Sequence, residues 1–276
     1  MLLRSNSKVN FGLKILNKRP DGFHNLVTIF QEVDFGDRIQ LKKYKAGCKI
    51  KSNVDWIPLD NSNLCHKAYS VLCENINQDL GVKIEIEKIV PTGSGIGGGS
   101  ANAAATLLGL NSLFNLGLDY NKLESIGSCI GADVPFFIRG GTQLGEETGF
   151  KLTKIAKKLE VVILLVVPKV SISTKWAYSQ IKNKLKSDNN ILKFADLMRN
   201  DFLLFKFFEN DFEKIVIPAY PEIGSIKNRM LDSGANFASL SGSGSTVFGV
   251  FDNKATAKEA ESYFHNSHLT ILTRPI

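Results

Sequence analysis

Apolar and polar positions alternate near the start of the chain, with Val9, Phe11, Leu13 and Ile15 on one side and Lys8, Asn10 and Gly12 on the other. A period of two predicts a strand. Val27–Phe35 and Arg38–Tyr44 carry the same signal, and Gly36-Asp37 between them predicts a turn joining an antiparallel pair. Arg19-Pro20-Asp21-Gly22 is turn chemistry. Over Asn63–Asn77 the period changes, with Leu64, Ala68, Val71, Leu72 and Ile76 on one helical face. Val82, Ile84 and Ile86 mark a further strand, and Asp119–Ile130 a further helix opened by Asp119 as its cap.

In the second half, Val161–Val167 is a continuous apolar run of the kind found in central strands. A helix from about Thr174, a polar stretch at Lys182–Asn190 and aromatic-rich helical segments around Phe202–Phe208 follow. Ile223–Leu231 reads as a helix stopped by Asp232-Ser233-Gly234, and Ala238–Leu240 and Val247–Phe251 as strands flanking Ser241-Gly242-Ser243-Gly244-Ser245. Strand runs and helices without regular βαβ alternation predict an α+β fold of two lobes, residues 1–156 and 157–276, divided at Lys154–Lys158.

The segment Pro91-Thr92-Gly93-Ser94-Gly95-Ile96-Gly97-Gly98-Gly99-Ser100-Ala101 lies between the strand at Val82–Ile86 and an Ala-rich helical run. Glycine loses more freedom on folding than any other residue, so such a density implies a close backbone approach. At a helix start, unpaired amides and the positive end of the dipole favour phosphate. Ser100 is the expected N-cap, and Ala103 stands where a capping box would carry Glu or Gln, which leaves the helix start open to an external anion. An ordinary Gly-rich turn is the competing reading. The chain has no Gly-Lys dipeptide, so a Walker A loop is excluded. Gly93, Gly95 and Gly98 match a dinucleotide fingerprint, but Pro91-Thr92 separates them from the strand and no strand ending in an acid follows at the expected distance.

The chain has 276 residues, 43% hydrophobic and 22% charged, enough for a full core and against disorder. A net charge of +7 with scattered basic residues reads as a solvated surface rather than a nucleic-acid platform, and a basic protein also suits anionic substrates such as nucleotides. Cys48, Cys65, Cys73 and Cys129 form no C-x-x-C pair, which reads as buried or free thiols of a reducing compartment. His265 and His268 read as surface histidines. The strand pattern begins by Ser7 and no apolar run reaches spanning length, so the expectation is a cytoplasmic protein with no membrane and no nucleic-acid partner.

Asp133, set in Gly131-Ala132-Asp133-Val134-Pro135-Phe136-Phe137, is a candidate proton acceptor for phosphoryl transfer, or else a cap before Pro135. Lys8 alone reads as a solvent-facing strand lysine.

Taken in order, Lys8-Val9-Asn10, Asp21-Gly22-Phe23-His24, Pro91–Ala101, Gly131–Pro135 and Leu240–Gly244 closely resemble the GHMP small-molecule kinases, nearly end to end. The resemblance implies two α+β lobes with the active site in the cleft between them. It implies ATP phosphates on Pro91, Thr92, Gly93, Ser94, Gly95, Ile96, Gly97, Gly98, Gly99, Ser100 and Ala101, Asn63 near the adenine, and Ser100 near the phosphates or Mg²⁺. Lys8 and Asp133 match the family's catalytic pair, Asp133 taking the proton and Lys8 polarising the hydroxyl and holding Asp133 ionised. The Asp-Gly-Phe-His and Gly-Ala-Asp-Val-Pro segments point to the branch that phosphorylates a methylerythritol hydroxyl on a substrate carrying a CDP group. Homoserine- and mevalonate-type kinases are the alternative. In that branch His24 reads the cytosine edge, Phe23 and Tyr178 supply opposed aromatic faces, and Asn10, Thr174, Gly242 and Ser243 contact substrate. Phe23 stands where the family usually has Tyr, the late turn reads Ser-Gly-Ser-Gly where Thr-Gly-Thr-Gly is commoner, and no acid stands out as a second Mg²⁺ ligand. The oligomeric state stays open.

Overall fold

A computed structural model describes residues 1–156, 159–181 and 208–276. The expected polar stretch at Lys182–Asn190, the aromatic helical segments up to residue 207 and part of the Lys154–Lys158 boundary lie outside the described residues. The chain forms two compact units, each discontinuous in sequence. One comprises Met1–Ser7, Phe35–Thr92 and Gly97–Gly140, and the other Lys8–Asp34, Gly93–Ile96 and Gly141–Ile276.

Two long strands supply residues to both. Strand β1 covers Leu2–Lys18 and pairs with β2, His24–Lys43. Arg19–Gly22 turns the chain between them, as its residues predict, with Arg19 N–H donating to Phe23 O at 2.7 Å. The expected turn at Gly36-Asp37 does not exist, because β2 runs through it unbroken. The reason is tertiary. A β-carbon on Gly36 would lie 2.0 Å from Ser5 O, so glycine is there to let β1 approach. Asp37 is fully buried and pairs with Lys88, which holds the strand extended where a solvated Gly-Asp would turn.

In the first unit, β4 (Val82–Glu87) runs antiparallel to the second half of β2, with Ile39 opposite Ile86, and β3 (Cys48–Ser52) runs parallel to β4. Helix α1 (Leu64–Ile76) has the predicted limits, with Asn63 as N-cap and Asn77 closing it in the left-handed region. It packs on α2, Gly98–Leu113. Leu41, Leu72, Ile84, Leu107 and Leu110 are fully buried, each contributing about 1.5–3 kcal/mol over the exposed state. Helices α3 (Tyr120–Ser128, capped by Asp119) and α4 (Val134–Arg139) complete this unit.

In the second unit, β5 (Thr142–Glu147) pairs antiparallel with the first half of β2, and β6 (Lys151–Lys154) with β5. A separate antiparallel sheet has the order β10-β7-β9-β8, formed by Leu269–Thr273, Val162–Val167, Val247–Phe251 and Phe237–Leu240. The apolar run at Val162–Val167 lies between two neighbours, as its composition requires. Among the described residues four helices accompany it: α5 (Thr174–Ser179), α6 (Glu213–Ala219), α7 (Pro221–Asp232) and α8 (Lys254–Ser262). Leu164, Val166, Phe212, Val216, Met230 and Phe251 join in its core. No helix among the described residues is long and apolar enough to cross a membrane.

Candidate active site

Lys8 is not the surface lysine that an isolated strand position suggests, since only 4% of it is exposed. A buried ammonium must be hydrogen-bonded. Its Nζ donates to Asn10 Oδ1 at 2.6 Å and to Gly95 O at 2.9 Å. Asn10 in turn donates through Nδ2 to Thr28 Oγ1 at 2.9 Å, and Thr28 donates to Gly12 O at 2.7 Å. The amide order within Asn10 follows from this network: the oxygen must face the ammonium.

The late Ser-Gly-Ser-Gly turn meets the same group. Ser241 Oγ donates to Gly95 O at 3.0 Å, so one carbonyl serves both Lys8 and Ser241. A β-carbon at Gly242 would be 3.4 Å from both Lys8 Nζ and Asn10 Oδ1, and Thr174 Oγ1 lies 2.9 Å from Ser243 Oγ. The structure thus brings Lys8, Asn10, Gly95, Gly242, Ser243 and Thr174 together. It also explains one glycine of the loop differently from the expectation. Gly95 has φ +81 and would place a β-carbon 2.4 Å from Ser241 O, so it is glycine because another backbone lies against it.

His24 stacks on Tyr178, with ring centroids 5.3 Å apart and planes at 23°. Tyr178 is braced edge-on by Phe212 at 4.9 Å. Phe23 stands 65% exposed. Burial, with Lys18 nearby, lowers the His24 pKa, which favours the neutral ring. A neutral imidazole carries one donor and one acceptor, the combination an amide-like base edge needs.

In the first unit, the loop leads into α2, and here the expected cap is corrected. Gly97, in the left-handed region at φ 76, is the N-cap, and Ser100 is the third helical residue. The helix starts early because glycines 97–99 impose no side chain; a β-carbon at Gly98 would be 2.7 Å from Val90 Cγ1. Ala101 N–H makes a bond to Gly97 O at 2.9 Å, while Gly97 offers no side-chain cap. The amides of residues 98–100 therefore precede the first i→i−4 donor, at the positive end of a 16-residue helix. That is an anion site in kind.

Sequence reasoning missed what lies beneath it. Lys88 Nζ donates to Asp37 Oδ2 at 2.6 Å and to Val90 O, and Asp37 Oδ1 accepts from the amides of Ile89 and Val90 at 2.7 and 2.8 Å. Lys88 Nζ is 3.2 Å from where a β-carbon on Gly98 would be, and Trp56 covers it at 5.9 Å from the ring centroid. The available signal was an acid and a lysine set in apolar surroundings, but nothing local pairs residues 51 positions apart.

Asp133 occupies the cap position of α4, and its side chain makes no cap hydrogen bond there. Asn63 caps α1 through Oδ1 to Cys65 N–H at 2.9 Å and donates to Pro58 O at 2.6 Å, which commits its amide to local structure. Among the described residues no three His, Cys, Asp or Glu side chains converge as a metal site. Ser100 places a hydroxyl in the first turn of α2.

Family models match the chain in two places: the GHMP kinases N terminal domain over residues 63–141 and the GHMP kinases C terminal domain over residues 182–270. A 4-diphosphocytidyl-2-C-methyl-D-erythritol kinase of Acetivibrio thermocellus is 40% identical over 96% of this chain and 95% of its own length. That of Chlorobium phaeobacteroides is 38% identical over 98% and 95%. A crystal structure of 4-(cytidine 5'-diphospho)-2C-methyl-D-erythritol kinase superposes with a TM-score of 0.84 at 27% identity, covering 100% of this chain and 99% of that one. A homoserine kinase from Cytophaga hutchinsonii shares the fold, with a TM-score of 0.74 at 20% identity over 89% of this chain and 88% of its own.

Proposed function

Since the chain belongs to the GHMP kinases, we propose that it transfers the terminal phosphoryl group of ATP to a hydroxyl of 4-diphosphocytidyl-2-C-methyl-D-erythritol, a step toward isoprenoid precursors. The observation that carries this reading is the likeness to kinases of that name at 40% and 38% identity along nearly the whole chain. The homoserine kinase at 20% identity shares only architecture.

The residues fit that chemistry. Phosphoryl transfer depends on positioning and charge stabilisation. The open start of α2, with the preceding loop from Pro91, receives the ATP phosphates. Mg²⁺ prefers oxygen ligands and is commonly held by substrate phosphates; here Ser100 is the residue that would complete its shell, and the ion would neutralise phosphate charge. Lys8 polarises the acceptor hydroxyl from a fixed position, its stem buried and its ammonium oriented by Asn10 and Gly95. Asp133 takes the hydroxyl proton. Neutral His24 reads the cytosine edge, with Tyr178 and Phe23 as aromatic faces for the base. Asn10, Thr174, Gly242 and Ser243 line the acceptor side.

The test is ATP turnover read as ADP release, with diphosphocytidyl methylerythritol compared with the methylerythritol phosphate lacking CMP. Turnover only with the cytidylated compound is the expected result. Turnover with homoserine or a mevalonate derivative instead would overturn the substrate assignment.

A further inference from the structure

The Ser241–Gly244 turn, closed by Gly244 N–H donating to Ser241 O at 2.9 Å, lies against Lys8 and is also held from outside. Leu240 O just before it and Gly242 O within it both accept from Asn210 Nδ2, at 2.7 and 2.8 Å. Asn210 is 2% exposed, and its own Oδ1 accepts from Phe212 N–H at 3.0 Å, so every polar atom of its side chain is engaged. Three residues on, Glu213 Oε1 accepts from Leu240 N–H and Ser239 Oγ, both at 2.9 Å, and Lys227 pairs with the other oxygen at 2.6 Å.

The same short segment is tied to β1. Leu13 N–H donates to Glu209 O and Asp211 N–H to Leu13 O, both at 2.8 Å, while Ile15 N–H donates to Asp211 Oδ2 at 2.9 Å. Residues 209–213 therefore bind two pieces of chain at once. One is the strand that carries Lys8 and Asn10. The other is the turn whose Gly242 lies against them.

We infer that Asn210 is a positioning residue for phosphoryl transfer, setting the Ser241–Gly244 turn against Lys8 so that the ammonium keeps its aim at the acceptor hydroxyl. The carbonyls of Leu240 and Gly242 bracket Ser241, the residue that shares the Gly95 carbonyl with Lys8. Releasing them lets Ser241 leave Gly95 and Gly242 leave the Lys8–Asn10 pair. Asn210 touches no reacting atom, and its effect passes through the turn. The inference rests on the functional reading given above, because it concerns the acceptor side of that reaction.

Asn210→Asp tests it, since the shape is kept while a donor between two carbonyls becomes an acceptor. We expect kcat to fall about tenfold to a hundredfold, the scale of a small misplacement of catalytic groups, with KM for ATP within about twofold of wild type. A folded Asn210→Asp protein with kcat within about twofold of wild type overturns the inference. So does a loss that appears equally in kcat and in the affinity for ATP, which is what a general loss of structure produces. Should that variant fail to fold, Asn210→Ala decides by the same split, because it removes the donor to Leu240 O and Gly242 O without placing a charge between them. Wild-type turnover of the cytidylated alcohol is the control. Its absence removes the functional reading, whereas its presence beside an unaltered Asn210→Asp enzyme removes only the positioning role.

Discussion

The backbone of Gly95 lies against the carbonyl of Ser241, so closely that a β-carbon on residue 95 would be 2.4 Å from that oxygen. The contact joins two glycine-rich segments within one unit and places Gly95 O where both Lys8 Nζ and Ser241 Oγ reach it. Gly95→Ala combines this collision with a left-handed φ of +81. Gly22 has a similar φ of +87 and nothing within 4 Å, so Gly22→Ala isolates the conformational cost, about 1–2 kcal/mol. Denaturant unfolding should show Gly95→Ala less stable than Gly22→Ala by a further ~1–3 kcal/mol, the cost of overpacking. It should also lose turnover, while Gly22→Ala keeps it. Equal stabilities would mean that the two segments do not pack as described.

Asp133→Asn removes the proposed base while keeping size and the α4 cap position. General-base catalysis contributes about 10²–10⁴-fold, so kcat should fall by that factor with KM for ATP little changed. Turnover near the wild-type level would assign the proton to another acceptor.

His24 has its pKa lowered by burial, then by Lys18. The unfolded chain therefore binds a proton that the folded chain resists, and stability contributed by neutral His24 is present above the ordinary histidine pKa, near 6.5. It is lost as pH falls from there through the lowered folded value. Affinity for the cytidylated substrate should weaken only as pH falls through that lowered folded value, because a protonated ring loses its acceptor. In His24→Ala both trends should flatten, and KM for that substrate should rise while KM for ATP holds. Calorimetry and initial rates at several pH values would detect either.

Asp37→Ala leaves the Lys88 ammonium buried with only Val90 O among the acceptors described for it. Breaking a buried pair from one side typically costs about 3–5 kcal/mol, more than removing both charges. Asp37→Ala should thus be markedly less stable than the double variant Asp37→Asn/Lys88→Met. Because the pair underlies Gly98, the single variant should also raise KM for ATP. An Asp37→Ala protein as stable as wild type would refute the role given to the pair.

Local chemistry in the sequence was enough for the elements whose limits are local. Asn63 and Asp119 cap α1 and α3 because a side-chain oxygen meets an amide two or three residues on, a bond needing no tertiary partner. The alternation of Val82, Ile84 and Ile86, the apolar Val162–Val167 and the turn between β8 and β9 follow from which faces must leave water. The glycine loop before a helix was equally legible, as was the succession of segments that marks the family. Local chemistry alone could not place several positions whose neighbour lies far along the chain. Gly36-Asp37 has the chemistry of a turn, yet Ser5 and Lys88 make it the middle of a strand. Lys8 has the chemistry of a surface residue, yet Gly95, 87 positions away, gives its ammonium a buried acceptor. Ser100 looks like a cap, but Val90 and the glycines let the helix begin three residues earlier. Asn210 carried no signal at all, since its two carbonyl partners are 30 and 32 residues distant. Periodicity and capping are short-range preferences of about a kilocalorie each, and a buried charge or donor outweighs them once folding supplies its partner.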